Sequence, residues 1–406
     1  MAYLKEIDVK YADSPSIDAF GRGRVSQLTT QFDSKQLNDN QPLFIDRVTG
    51  GSGSHSWSGS TNETQLKTSA ASDYAVAQTY QRFNYQSGKS QLIFMTFSDF
   101  NVETNIEKRI GYFSSSTSAP YTASYDGLFL ENDGTDIRVR SYRNGTSTTN
   151  VAQSSWNLDT MDGNGDSGVT IDFEKAQILV IDFEWLGVGR VRFGFVVDGM
   201  VFYFHEILNA NSVDNVYMLS PNQPLRWEIR QTGLGSGTFT HICSSVNSEG
   251  SLNSTGKVLS DNLGTTHVNA NSTSSKYALL GIRLQSAKVD TIIDIIDFSV
   301  LATTNDNQLV EIWLNPTVAG TFTYSSVTNS SVQIAKGASG GSNTVTGGTL
   351  LFSKYISAQD ATPIEIENAI KLGMSIAGTV DEIVLSTNPL SSNSDVLGSI
   401  TWTEKE

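Results

Sequence analysis

The chain has 406 residues, with 42 Asp and Glu against 27 Lys and Arg, for a net charge of -15. An acidic balance of that size disfavours nucleic acid and anionic membrane surfaces as partners. Hydrophobic residues are 38% and charged residues 17%, which is apolar enough for a packed core and excludes a disordered chain, with fewer charges than the about 25% of ordinary globular domains.

Ser, Thr, Asn and Gly fill the polar remainder, and these residues favour strands and turns over helices. The length suggests two domains. Met1-Ala2-Tyr3-Leu4-Lys5-Glu6-Ile7 has neither the basic nor the apolar region of a secretory leader, so a chain made in a cytoplasm without an export signal is expected. The longest apolar runs, such as 193–197, fall far short of the about 18 residues that suggest a membrane helix. A single cysteine, Cys243, excludes an intrachain disulfide and a zinc site built on several thiolates. It is expected to be a buried, inert thiol.

Residues 1–50 read as an N-terminal attachment arm. Phe20, Val25, Leu28, Phe32, Leu37, Leu43, Phe44 and Ile45 are apolar anchors without a period, so they must be buried on another domain or another subunit. Gly21-Arg22-Gly23-Arg24 is a local positive patch, expected to favour an acidic partner surface such as a neighbouring copy. Residues 51–60 read as a loop. Strand signals then follow at 75–83, 91–97, 110–113, 125–130, 136–142, 171–185, 190–197, 200–207 and 225–231. Asn132-Asp133-Gly134, Asn144-Gly145 and, most strongly, Asp198-Gly199 mark hairpins between them. This spacing predicts a β-sandwich over 51–255. The Ser/Asn/Gly-rich stretch 247–275 predicts a boundary, and 256–406 reads as a second, smaller β-rich domain. Its strands are expected at 277–284, 291–301, 309–314, 332–335, 349–352, 379–386 and 396–402. Thr362-Pro363-Ile364-Glu365 has the signature of a helix N-terminus and Gly373 that of its stop, so one short helix is expected.

Ile181-Asp182-Phe183-Glu184-Trp185 is the most suggestive stretch. Residues two apart on a strand share a face, so Asp182 and Glu184 project together. The stretch resembles the catalytic strand, Glu-x-Asp-x-Glu, of glycoside hydrolases of the laminarinase and lichenase type, which have a concanavalin-like jelly-roll fold. Asp182 and Glu184 match its second and third acidic positions. Val180 stands where the resemblance would put the nucleophile, and a retaining displacement cannot run without that carboxylate. The resemblance therefore implies the fold without the activity. On the residues alone, Asp182 and Glu184 line a polar sheet face and pair with Arg190 or Arg192 on the next strand. Asp162, Asn164 and Asp166 offer oxygens at alternate positions, as a calcium loop does, but Ser167 and Phe173 replace the glycine and glutamate such a loop requires. The alternative is a Gly-rich hairpin. His55, His205, His241 and His267 have no metal-ligand spacing. Trp57, Tyr121, Tyr125, Trp156 and Tyr217 lie in or beside loops, where rings can stack on sugars.

Three further stretches carry a wider resemblance: 16–26 with 32–37, Tyr85-Gln86-Ser87-Gly88-Lys89-Ser90-Gln91, and Pro221-Asn222-Gln223-Pro224-Leu225-Arg226-Trp227-Glu228-Ile229. Together with 182–192 they resemble virion structural proteins of tailed, often marine, bacteriophages over roughly the first 250 residues. The expectation is an all-β chain: an arm, a jelly-roll sandwich and a second β-sandwich with one short helix. Its role is a non-enzymatic, surface-exposed accessory of the particle, a head decoration or a fibre or tail component, assembled in the host cytoplasm. The expected partners are other virion proteins and its own copies, a trimer by analogy with phage accessory proteins, with no cofactor, nucleic acid or membrane. A receptor-binding fibre that recognises host glycans and a jelly-roll carbohydrate-active enzyme are the alternatives.

Overall fold

The computed structural model describes residues 16–116, 125–252, 255–358, 362–365, 371–391 and 393–406. Two units emerge: residues 1–79 with 83–253, and residues 80–82 with 254–406. Both are built from antiparallel sheets, and the single turn Gln153–Ser155 is the only helical element among the described residues.

The first unit carries β1 (Leu28–Ser34), β2 (Ile45–Gly50), β3 (Ser54–Ser58), β4 (Glu63–Thr68), β5 (Tyr74–Thr79), β6 (Gln91–Ser98), β7 (Ile106–Ser114), β8 (Asp126–Asn132), β9 (Ile137–Arg143), β10 (Thr146–Ala152), β11 (Gln177–Phe183), β12 (Val191–Val197), β13 (Met200–Ile207), β14 (Leu225–Gln231) and β15 (Gly237–Glu249). They form a jelly-roll sandwich. One sheet runs β13-β12-β11-β6-β15-β4-β3, with β1 also paired to β15, and the other runs β10-β9-β8-β7-β14-β5-β2. Alternation decides which side chains meet between them. Leu179, Ile181 and Phe183 of β11 join Ile110, Tyr112, Leu128, Leu130 and Ile229 in the core. Trp227 of β14 stacks on His241 of β15, with ring centroids 3.8 Å apart. The turns follow the sequence closely. Val197 pairs with Met200, and the two residues between them, Asp198 and Gly199, both have positive φ, 51° and 79°. That is the turn whose twist matches a two-residue hairpin.

The stretch expected to be a separate arm supplies two strands of this sandwich, β1 and β2. Phe32 and Ile45 are buried in its core, whereas Phe20, Val25, Leu28, Leu37, Leu43 and Phe44 remain exposed. Residues 1–15 lie outside the described residues. The expected loop 51–60 contains β3, in which His55 and Trp57 alternate with exposed serines. Serine masks the pattern, because it neither signals burial nor disfavours an edge strand.

The second unit has its own core around Leu280, Ile312, Leu385, Ile400 and Trp402. Its C-terminal strand Ser394–Lys405 pairs with Ile292–Ala302 on one side and with Lys257–Asn262 and Val268–Ala270 on the other. Both of these last strands fall within the stretch that reads as a linker. In the facing sheet, Glu382–Pro389 lies between Tyr277–Leu284 and Gln308–Leu314. The expected helix start is instead a strand. Thr362–Glu365 pairs with residues 297–300 of Ile292–Ala302, and Ile364 is buried. Sheet pairing and burial of one isoleucine override a local capping pattern worth about 1 kcal/mol. Residues 366–370 of that expected helix lie outside the described residues.

Candidate functional site

Inward packing of Leu179, Ile181 and Phe183 turns Val180, Asp182 and Glu184 to the outer face of their sheet. Asp182 is wholly buried there, as is Arg192, its register partner across β12. The cover is the N-terminal segment. Ile17 bridges Gly23, Arg24 N donates to Ser16 O at 2.8 Å, and the chain doubles back as a short hairpin. Asp18 holds its turn: Oδ1 accepts from Phe20 N at 2.9 Å and from Arg22 N at 2.8 Å, an Asx arrangement suited to Asp at that place.

This hairpin drives two arginines onto the sheet. Arg24 Nη2 lies 2.7 Å from both oxygens of Asp182. Arg192 and Ser90 also donate to Asp182, and Tyr203 does so at 2.9 Å. Arg192 in turn donates to Ile17 O at 2.8 Å and lies over the Tyr203 ring, 4.1 Å from its centroid. Arg22 Nε donates to Asp18 at 2.6 Å, and its Nη2 pairs with Glu184. Burial, and then the charge of Asp18, push the Glu184 carboxyl up to about 7 against the opposing pull of Arg22. Glu249, at the end of β15, completes the group: one oxygen each from Asp18, Glu184 and Glu249 lie within 4.8 Å of one another.

The expected pairing of Asp182 with Arg192 is therefore present, while Arg190 pairs with Glu206 at 2.7 Å. Arg22 and Arg24 find acidic partners, Asp18, Glu184 and Asp182, within this same chain; Arg24 is nearly buried, and Arg22 stays half-exposed. Asp18, Arg24 and Tyr203 were not legible as site residues. Arg24 and Asp182 are 158 positions apart, and no local pattern announces such a pair. Chemically, the group binds and neutralises. Every oxygen of Asp182 is engaged, and Val180 packs with Leu92 and Tyr203 in an apolar cluster, so no second carboxylate faces Glu184 from the nucleophile's place on the strand.

The other candidates are dispersed. In the 162–168 loop, Asp162 Oδ1 accepts from Thr160 Oγ1 at 2.7 Å and from Asn164 N at 3.0 Å, which holds its carboxyl below the usual range. Asp166 is exposed. Asp159 organises the loop by accepting from Met161 N at 2.7 Å and Ser167 N at 2.8 Å. Tyr125, Trp156 and Tyr217, expected as loop rings open to sugars, are buried. Trp57 is half-buried, with Nε1 donating to Gln36 O at 2.9 Å, and Tyr121 lies outside the described residues. Cys243 is half-buried rather than buried, and its burial still raises the thiol pKa. His267 faces Asp395 at 3.3 Å.

His205 is buried, and its Nδ1 accepts from Asn157 N at 3.2 Å, so its neutral ring is required. Burial lowers its pKa to about 4. The unfolded chain then binds a proton that the folded chain refuses, and stability falls as pH drops from about 6.5 to about 4. His205→Asn keeps an acceptor without a titrating group. It should remove roughly 2–3 kcal/mol of that acid loss, read as a flatter dependence of the urea midpoint on pH.

No protein-family model and no curated protein matches the chain. Among solved structures, it is similar to a Bacillus licheniformis beta-glucanase, with 12% identity over 53% of this chain and 96% of that one and a TM-score of 0.35. A lichenase from a mouse hindgut metagenome gives 13% identity, 53% and 97% coverage and a TM-score of 0.32. The Emp47p carbohydrate recognition domain gives 14%, 55% and 98%, and 0.34.

Proposed function

We propose that this protein is a non-enzymatic structural component of a tailed-bacteriophage particle, attached to neighbouring virion subunits through residues 20–44 of its first unit. The observation that supports the non-enzymatic part is the closure of the Asp182 face: both oxygens of Asp182 are committed to Arg24 and Arg192 of the same chain, and Glu184 pairs through one oxygen with Arg22. The attachment part is supported by the apolar side chains that this chain leaves uncovered between residues 20 and 44. Val25 is 97% and Leu37 56% exposed. Their burial on a partner contributes roughly 1.5–3 kcal/mol each when complete. The assignment to a phage particle rests on the sequence resemblance of residues 16–37, 85–91, 182–192 and 221–229.

A chain carrying Val25→Ser and Leu37→Ser tests this, since both side chains are exposed and the fold does not need them. Folded protein should be recovered in ordinary yield, and its incorporation into particles should fall at least about tenfold, the equivalent of about 1.4 kcal/mol. Undiminished incorporation would overturn the attachment surface. Hydrolysis of a β-glucan by the wild-type chain, abolished in Glu184→Gln, would overturn the non-enzymatic reading.

A further inference from the structure

We propose that Asp18, Glu184 and Glu249 form a divalent-cation site of the calcium class, which fastens the N-terminal hairpin to the outer face of the sheet. The three carboxylates come from three separate elements: the hairpin turn, the residue after β11 and the last residue of β15. Their nearest oxygens span no more than 4.8 Å. Among the described residues, only Arg22 forms ion pairs with members of this trio, reaching Asp18 and Glu184. The nearby Lys89 ammonium is spent elsewhere, on Gln86 Oε1 at 2.9 Å and on Ser251 O.

A second observation is independent of the clustering. The Glu184 side chain is wholly buried and lies within hydrogen-bond reach of the Asp18 carboxyl, yet its Oε2 meets no N–H or O–H donor among the described residues, and Glu249 Oε2 is buried in the same condition. A buried carboxylate oxygen left without a donor is costly. Two such oxygens on neighbouring residues, beside a third carboxylate, ask for a positive centre rather than for separate donors. An all-carboxylate set selects a hard cation over zinc or copper. Calcium tolerates an irregular oxygen cage completed by water, and Glu249, being half-buried, leaves a side open to solvent. Because Asp18 belongs to the hairpin, cation binding and hairpin docking are coupled, whatever the partner of residues 20–44.

The test uses the full chain, stripped with a chelator and then unfolded by heat in calcium chloride, in magnesium chloride, or in sodium chloride of matched ionic strength. Calcium near a hundredfold excess over its Kd should raise the first unit's Tm by about 5 °C relative to sodium. Glu249→Gln should lose this response, while Glu206→Gln, which alters an ion pair with Arg190 on the same sheet, should keep it. Terbium(III) provides a second measurement that does not depend on stability: its emission, sensitised through Trp185 or Tyr85, should appear in the wild type, be displaced by calcium and be absent in Glu249→Gln. An equal Tm in calcium and sodium, an undiminished calcium response in Glu249→Gln, or terbium emission that calcium does not displace would each overturn the site.

Discussion

Asp182→Ala should cost the first unit about 3–5 kcal/mol, because it removes the shared acceptor of a buried network and leaves two guanidinium groups facing each other without a carboxylate. Arg192 is fully buried and Arg24 is nearly so. Tyr203 and Ser90 lose their acceptor as well. The urea midpoint should fall with the slope unchanged. Adding Arg192→Met to the variant should restore part of the loss, since an apolar side chain in place of an unpaired buried charge is tolerated better than the charge itself. A loss below about 1 kcal/mol for Asp182→Ala would mean that water reaches the network and that the hairpin does not seal it.

A comparable loss is expected in the second unit from Trp402→Ala, at about 3–5 kcal/mol. Trp402 is wholly buried on the strand at the centre of its sheet. Its ring fills the core, and its Nε1 donates to Glu404 Oε1 at 2.9 Å. Glu404 also accepts from Ser331 N at 3.0 Å, so the substitution both opens a cavity and thins the donors around a buried carboxylate. Hydrogen exchange followed strand by strand should locate the lost protection in Ile292–Ala302 and Ser394–Lys405. Trp402→Phe, which keeps most of the volume, should recover more than half of the stability.

Much of the sandwich was legible wherever apolar residues alternate. Leu225–Gln231 and Tyr277–Leu284 coincide with their expected limits, and Asp198-Gly199 announced its turn through two residues that accept positive φ. Among the strands that escaped, Thr146–Ala152 and Lys257–Asn262 carry polar residues on both faces. Both lie at sheet edges, where burial imposes little pattern. The helix expected at Thr362 failed for the opposite reason: a clear local signal was overruled by pairing with a strand some sixty residues earlier in the chain. At the site, the shared face of Asp182 and Glu184 follows from a period of two, and Arg192 from the next hairpin. The hairpin that closes over them could not be read, because a tertiary contact between residues 24 and 182 leaves no mark in either neighbourhood.

The order of strands in the first unit also constrains how the chain acquires its structure during synthesis. β15 sits between β6 and the pair β4 and β1, and β14 sits between β7 and β5. Until residues 225–249 have left the ribosome, the first sheet exists only as three pieces, β13-β12-β11-β6, β4-β3 and β1, and the second as two, all with open edges. Non-local strand pairing is slow, and unpaired edges invite association with other chains. Nascent chains of this protein therefore expose the unfilled edges of β6, β4, β1, β7 and β5 until then, and a polypeptide that stops before residue 225 has no means of closing them. Yield in a heterologous host should accordingly depend on elongation rate and on holdase chaperones, and a shortened form ending inside the first unit should aggregate rather than fold as a smaller domain.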